Sequence, residues 1–207
     1  MKATFAKLDQ TSPAGKAGAL ASMIVGINEG AADVRLFSND PRSFSVVPGS
    51  PFAYWVPATC REAFRLFRPL EVEGVIARQG LATANDFRFV RAAWETRSAF
   101  PAFSKGGRYA TFYDSLVLVV RWVSDGAELK AWASHYEDGG HWSRRIFNTG
   151  LYGRSGVTWS RRSQRGLSMR LLPTGCIFSD KGPTVFHSVD GPAQLKELAA
   201  VLNSKAF

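Results

Sequence analysis

The second half of the chain is a series of short apolar segments separated by turn residues, and this punctuation constrains the fold more than any other feature. Residues 72–77, 87–94, 116–123, 128–132, 167–172, 176–179 and 184–187 have the length and side-chain content of strands. Pro173 and Gly175 mark one turn, and Asp125-Gly126 is the dipeptide of a two-residue hairpin between the third and fourth segments. The longest apolar run lies around 116–120, far short of the ~18 residues of a membrane span.

Helix signals occupy the first third and the end. Ser12-Pro13 predicts an N-cap and first helical residue for a helix over 14–27, with Leu20, Met23, Ile24 and Ile27 on one face and Gly30 as its left-handed cap. Residues 34–38 and 43–47 are expected strands, broken at Asn39-Asp40-Pro41, and 52–56 is an aromatic segment. Pro57 opens a second expected helix to about Phe67, with Phe64 and Phe67 inward, and Pro69 stops it. A last helix runs over 192–203, capped by Asp190 or Gly191, with Leu195, Leu198, Ala199 and Leu202 as its apolar stripe. The expected class is α+β: a twisted mixed or antiparallel sheet with a few flanking helices. A chain of 207 residues, 45% hydrophobic and 21% charged, can build a packed core. Residues 1–33, rich in Ala and Gly, are an expected linker and helix ahead of a main domain over 34–207.

The charge is concentrated. Net charge is +9, and residues 141–179 hold seven arginines (Arg144, Arg145, Arg154, Arg161, Arg162, Arg165 and Arg170) with no lysine and no acid. A solvated face normally mixes signs and uses lysine freely. An all-arginine stretch suits bidentate recognition of phosphates or guanine edges, although ordinary surface pairs with distant acids would also place arginines here. The expected partner is anionic.

Several chemistries are missing. Gly150-Leu151-Tyr152-Gly153-Arg154-Ser155-Gly156 has the wrong spacing for a dinucleotide loop, and there is no P-loop signature. His135, His141 and His187 are scattered, and Cys60 and Cys176 are too few for a disulfide scaffold or a Cys-only zinc site, so no metal ligand set is expected. The N-terminus has no apolar signal core, and the expected location is the cytoplasm. One faint enzymatic pattern is Asp114, an apolar strand, then Glu128-Leu129-Lys130, which could hold Mg²⁺ for phosphodiester hydrolysis.

Six segments carry a resemblance. They are Ser50-Pro51-Phe52-Ala53-Tyr54-Trp55-Val56; Gly80-Leu81-Ala82-Thr83-Ala84-Asn85-Asp86-Phe87-Arg88-Phe89-Val90-Arg91 with Trp94-Glu95; Phe103-Ser104-Lys105-Gly106-Gly107-Arg108-Tyr109; Gly156-Val157-Thr158-Trp159; Leu167-Ser168-Met169-Arg170-Leu171-Leu172-Pro173-Thr174-Gly175-Cys176-Ile177-Phe178 with Lys181-Gly182-Pro183; and Leu198-Ala199-Ala200-Val201-Leu202-Asn203-Ser204. In this order, from about Phe44 to Phe207, they resemble the region downstream of the catalytic domain in large N6-adenine DNA methyltransferases of the restriction–modification and BREX phage-defence type. The resemblance implies a target recognition domain over 34–207, which grips double-stranded DNA and reads its sequence. S-adenosylmethionine would bind a separate catalytic domain, whose Phe-x-Gly-x-Gly and Asn/Asp-Pro-Pro-Tyr/Phe motifs this chain lacks; its ten prolines include no Pro-Pro pair. No cofactor and no catalytic residue are expected in this chain. Ala3-Thr4-Phe5-Ala6-Lys7-Leu8 resembles the last strand of such a catalytic domain, so the expectation is a fragment, a degraded gene or a split subunit that partners a methyltransferase catalytic domain or subunit.

The candidate DNA contacts follow. Lys105 and Arg108 flank two glycines that let backbone approach a phosphate, unless the four residues are an ordinary glycine turn. Thr158, Arg161, Arg162, Gln164 and Arg165 combine a hydroxyl, an amide and three guanidiniums between two expected strands, which suits phosphate anchoring and base readout. Arg144, Arg145, Arg154 and Arg170 complete the basic stretch. Of Arg88 and Arg91, one is expected to face DNA and the other to pair with Glu95. Trp55, Trp94, Trp122 and Trp159 are expected in the core. Two other classes stand beside this reading: the Mg²⁺-dependent nuclease, and a protein-interaction domain whose basic face docks an acidic partner.

Overall fold

The computed structural model describes residues 1–136, 140–189 and 191–204. The chain divides into two compact units, Met1–Pro69 and Leu70–Phe207. The expected boundary at 33/34 falls inside the first of them.

In the first unit, β1 (Ala3–Ala6) pairs antiparallel with β2 (Leu36–Asn39), with Phe5 opposite Phe37. Between them, Ser12 precedes a 3-10 turn, Pro13–Gly15, that runs into α1 (Lys16–Asn28). Gly30, at φ +73°, closes that helix as expected. Phe5 stacks on Tyr54 at 5.1 Å and meets Phe44 edge-on at 5.6 Å. The expected strand at 43–47 is instead a 3-10 turn, Pro41–Val46: the Asp40 carboxylate accepts from the Arg42 N–H, and Pro41 supplies a helical φ at the first position. That bonding to the Arg42 side chain and N–H also holds the Asp40 carboxyl well below the usual range. In α2 (Ala58–Leu66), Phe64 is exposed, and so is Phe67 just beyond it, contrary to expectation. Arg61 takes the inward position: its guanidinium donates to the Ala53 and Val56 carbonyls and, at 2.7 Å, to Asn39 Oδ1. Leaving those acceptors unpaired would cost more than exposing a phenyl ring.

The second unit is α+β. Its elements are β3 (Val75–Arg78), α3 (Asp86–Phe89), β4 (Val90–Ala92), β5 (Phe103–Ser104), β6 (Leu118–Val120), α4 (Ala127–His135), β7 (Gly156–Thr158), β8 (Arg170–Leu172), β9 (Ile177–Phe178), β10 (Thr184–His187) and α5 (Pro192–Leu202). The main sheet has the order β3-β10-β7-β8, antiparallel throughout. β4 pairs antiparallel with β6, and β5 runs parallel to β9. Strand periodicity separates two apolar faces. Val75, Val157, Leu171 and Val185 pack with Leu195, Ala199 and Leu202 of α5. Ile76, Leu172 and Phe186 pack on the other face with Cys176 and Phe178. A third cluster joins Leu81, Phe89, Phe103, Val120, Leu129 and Ile146. Tyr152 bridges the last two clusters, edge-on to Phe178 at 5.5 Å and to Trp122 at 5.2 Å, and burial pushes its phenol above the ordinary value. Each fully buried Phe or Leu contributes about 1.5–3 kcal/mol.

Three expectations fail here. Residues 128–132 belong to α4, not to a strand. Ser124, Asp125 and Gly126 all have positive φ, whereas the type I′ hairpin that Asp-Gly favours needs two such residues, and the Gly126 carbonyl accepts from Lys130 N–H to start the helix. Ala127, Glu128, Leu129, Lys130 and Ala131 are strong helix formers, and Leu129 and Ala133 bury one face. Residues 87–94 open with a helical turn capped by the Asn85 side chain, leaving only β4 extended. Trp94 is 76% exposed and Trp55 is half-exposed, while Trp122 and Trp159 pack against the core. Among the described residues no helix is long and apolar enough to cross a membrane.

Candidate nucleic-acid interface

The face of the main sheet away from α5 changes character along its strands. Phe186 and Leu172 are apolar, but two residues away Thr184, Thr158 and Arg170 lie side by side on neighbouring strands. Thr158 is buried: its hydroxyl donates to the Pro183 carbonyl at 2.9 Å and lies 3.3 Å from Ser104 Oγ. Arg170, 3% exposed, places Nη1 3.2 Å from Asp114 Oδ2 and donates from Nη2 to Ser160 Oγ at 3.0 Å. The Ser160 hydroxyl in turn donates to the Gly107 carbonyl at 2.9 Å. Arg170, through its two terminal nitrogens, and Thr158 are therefore framework groups bonded inside the protein, and the buried Arg170 Nε is left without a partner among the described residues.

The 105–108 loop sits beside them. A Cβ on Gly106 would lie 2.7 Å from the Lys181 carbonyl oxygen, and one on Gly182 would lie 2.7 Å from Gly106 N and 2.9 Å from Ser104 O. These glycines let two backbone loops touch. Gly182→Ala should therefore cost about 1–3 kcal/mol of stability, read as a lower urea midpoint with unchanged slope. Arg108 projects outward, its side chain 80% exposed, with Nε 3.5 Å from Asp114 Oδ1. The Lys105 ammonium pairs with Asp86, and partial burial lowers its pKa while the Asp180 carboxylate opposes this. Phe103, Lys105, Arg108, Asp114, Leu116 and Arg170 line a cleft of about 420 Å³.

The next segment is open to solvent. Residues 161–167 are all exposed, and among the described residues Arg161, Arg162 and Arg165 have no ion-pair partner. Gln164 is exposed between them. The loop is held at its base: Arg161 N–H donates to the Lys181 carbonyl at 3.0 Å, and the Asn203 side chain clasps the Met169 N–H and C=O at 2.8 and 2.9 Å. The structure thus brings Lys105, Arg108, Thr158, Arg161 and Arg170 onto one framework.

The remaining candidates lie in other environments. Arg154 donates to the His187 carbonyl at 3.0 Å and lies over Phe186. Arg144 is exposed, and the Arg145 guanidinium lies 4.4 Å from the Tyr136 ring centre. Arg88 pairs with Glu128 at 2.9 Å and covers Trp132, while Glu95 accepts from the Ala92 N–H and pairs with neither Arg88 nor Arg91. The nuclease constellation does not form. Glu128 and Lys130 sit two residues apart on α4, about 200° apart around its axis. Glu128 is held by Arg88 and Arg121, Lys130 by Asp125, and Asp114 by Arg170. Among the described residues no three His, Cys, Asp or Glu side chains are grouped to hold a metal. The sequence reading missed Ser104 and Ser160 as supports and the aromatic segment after Arg108; the crowding of Tyr109, Phe112 and Tyr113 into the five residues 109–113 was its only signal.

No protein-family model matches the chain. It is similar to curated adenine-specific methyltransferases. It is 28% identical over 176 residues to adenine-specific methyltransferase BrxX of Escherichia coli O9:H4 (strain HS), an alignment covering 78% of this chain and 13% of the relative. It is 26% identical over 162 residues to adenine-specific methyltransferase PglX of Lacticaseibacillus casei (strain Zhang), covering 70% of this chain and 13% of the relative. The chain is thus related to the BrxX and PglX methyltransferases and spans a small part of their length.

Proposed function

We propose that this chain recognises double-stranded DNA as the target recognition part of an adenine-specific DNA methyltransferase of the restriction–modification or phage-defence kind. The relation to BrxX and PglX supports the setting. The exposed loop over 161–167, with three arginines lacking acidic partners among the described residues, is the observation that carries the DNA-binding role. In this reading Arg108 and Arg144 hold phosphates, and Arg161, Arg162, Gln164 and Arg165 divide between phosphates and base edges. Arg170 and Thr158 hold the loop's base in place. Methyl transfer and S-adenosylmethionine binding belong to a catalytic partner or domain.

Selection from a randomised duplex pool tests the reading. The expected result is enrichment of a short motif that Arg161→Lys/Arg162→Lys no longer enriches, because an ammonium cannot reproduce the bidentate fork. Recovery of the pool without enrichment would overturn sequence recognition by this chain.

A further inference from the structure

We infer that Phe112 and Tyr113 form an apolar wedge that enters duplex DNA at a base step beside the arginine loop. The inference rests on the DNA-binding reading above and adds a mode of contact that the arginines do not supply.

Phe112 is half-exposed and Tyr113 is 73% exposed. Among the described residues neither ring stacks on another aromatic ring, and neither belongs to a hydrophobic cluster. Exposed rings alone mean little. Here, however, the backbone is held in a conformation that presents them. Phe112 has φ +66°, a region bulky L-residues avoid, and Tyr113 N–H donates to the Thr111 carbonyl at 2.8 Å across it, which makes a tight γ-turn. β8 and its lead-in clamp that turn. Phe112 N–H donates to the Met169 carbonyl at 2.7 Å, and Leu171 N–H donates to the Phe112 carbonyl at 3.0 Å. On the far side, Asp114 is fixed by Arg170 and accepts from Ser115 N–H at 3.0 Å. A strained turn that is held from both sides while one aromatic ring is half-exposed and the next largely exposed is pre-organised for a ligand.

The surroundings indicate which ligand. The segment 107–112 is bonded to both ends of the arginine loop: Ser160 donates to Gly107, and Met169 accepts from Phe112. Arg108, Arg161, Arg162 and Arg165 are exposed on this framework. Apolar side chains flanked by cations match the way proteins pry open a base step and kink the duplex while gripping its backbone. A protein partner would need acidic groups around its apolar anchor and would bind regardless of base stacking.

The test compares an intact 20-base-pair duplex with the same duplex carrying one central T·T mismatch, both bound to the full 207-residue chain across a salt series. A step weakened by the mismatch costs less to pry open, so the mismatched duplex should bind about tenfold more tightly. Phe112→Gly keeps the left-handed turn and removes the ring, and Tyr113→Ala changes an exposed residue; both should fold. Both variants should lose most of the mismatch preference while keeping the salt dependence on intact duplex, and Tyr113→Phe should retain it. Salt-dependent binding of intact duplex with no mismatch preference, or with a preference the variants keep, would overturn the wedge and leave the arginine reading standing. Absence of duplex binding at low salt would overturn both.

Discussion

Replacing Arg161, Arg162 and Arg165 together by alanine should weaken duplex binding by about two orders of magnitude at physiological salt, and should flatten the log–log salt slope by about 2 to 3. Each guanidinium in contact with a phosphate releases about one counterion, and each one reading a guanine edge contributes about 1–3 kcal/mol. The three side chains are exposed and lack acidic partners among the described residues, so the fold loses little with them. The change in unfolding free energy should stay within about 0.5 kcal/mol. Fluorescence anisotropy on a labelled duplex, beside urea denaturation of the same samples, separates the two effects. An equal fall in affinity and stability would mean that the loop is structural.

Asp114→Ala should do the opposite, unfolding the protein more readily by about 3–5 kcal/mol. It leaves the Arg170 guanidinium, 3% exposed, without its carboxylate, and it frees one side of the Phe112 turn. The penalty comes from an unpaired buried charge, so Asp114→Ala/Arg170→Met should recover much of it. Denaturant midpoints of the two single variants and the double variant complete the cycle. If Asp114 were instead a metal-binding acid, its removal would relieve repulsion and raise stability.

The elements legible in the sequence are those with local punctuation. Ser12-Pro13 and Gly30 bracket the first helix, Pro57 and Pro69 the second, and Pro192 opens the last. The short apolar runs that became β6, β8, β9 and β10 needed only their spacing. The stretch around Asp125-Gly126 was misread because one dipeptide serves both a hairpin and a left-handed turn into a helix, and the helix formers after it decided the outcome. The aromatic pair Phe64 and Phe67 was misread because no sequence rule places Arg61 inside.

The candidate site was legible by charge and illegible by depth. Seven arginines look alike in sequence, yet Arg170 is a buried tie, Arg154 is half-buried against Phe186, and the loop arginines are open to solvent. Strand register, which pairs Thr158 with Arg170 across β7 and β8, makes that distinction, and register is a long-range property. The clamped turn at Phe112 also depends on residues more than fifty positions away.

The most direct measurement of the central claim is the salt dependence of binding to a random-sequence duplex by the unmodified chain. Five exposed arginines, Arg108, Arg144, Arg161, Arg162 and Arg165, predict a log–log slope of about −4 to −5. A slope near zero, or no binding at low salt, would contradict DNA recognition and point to an acidic protein as the partner of the basic face.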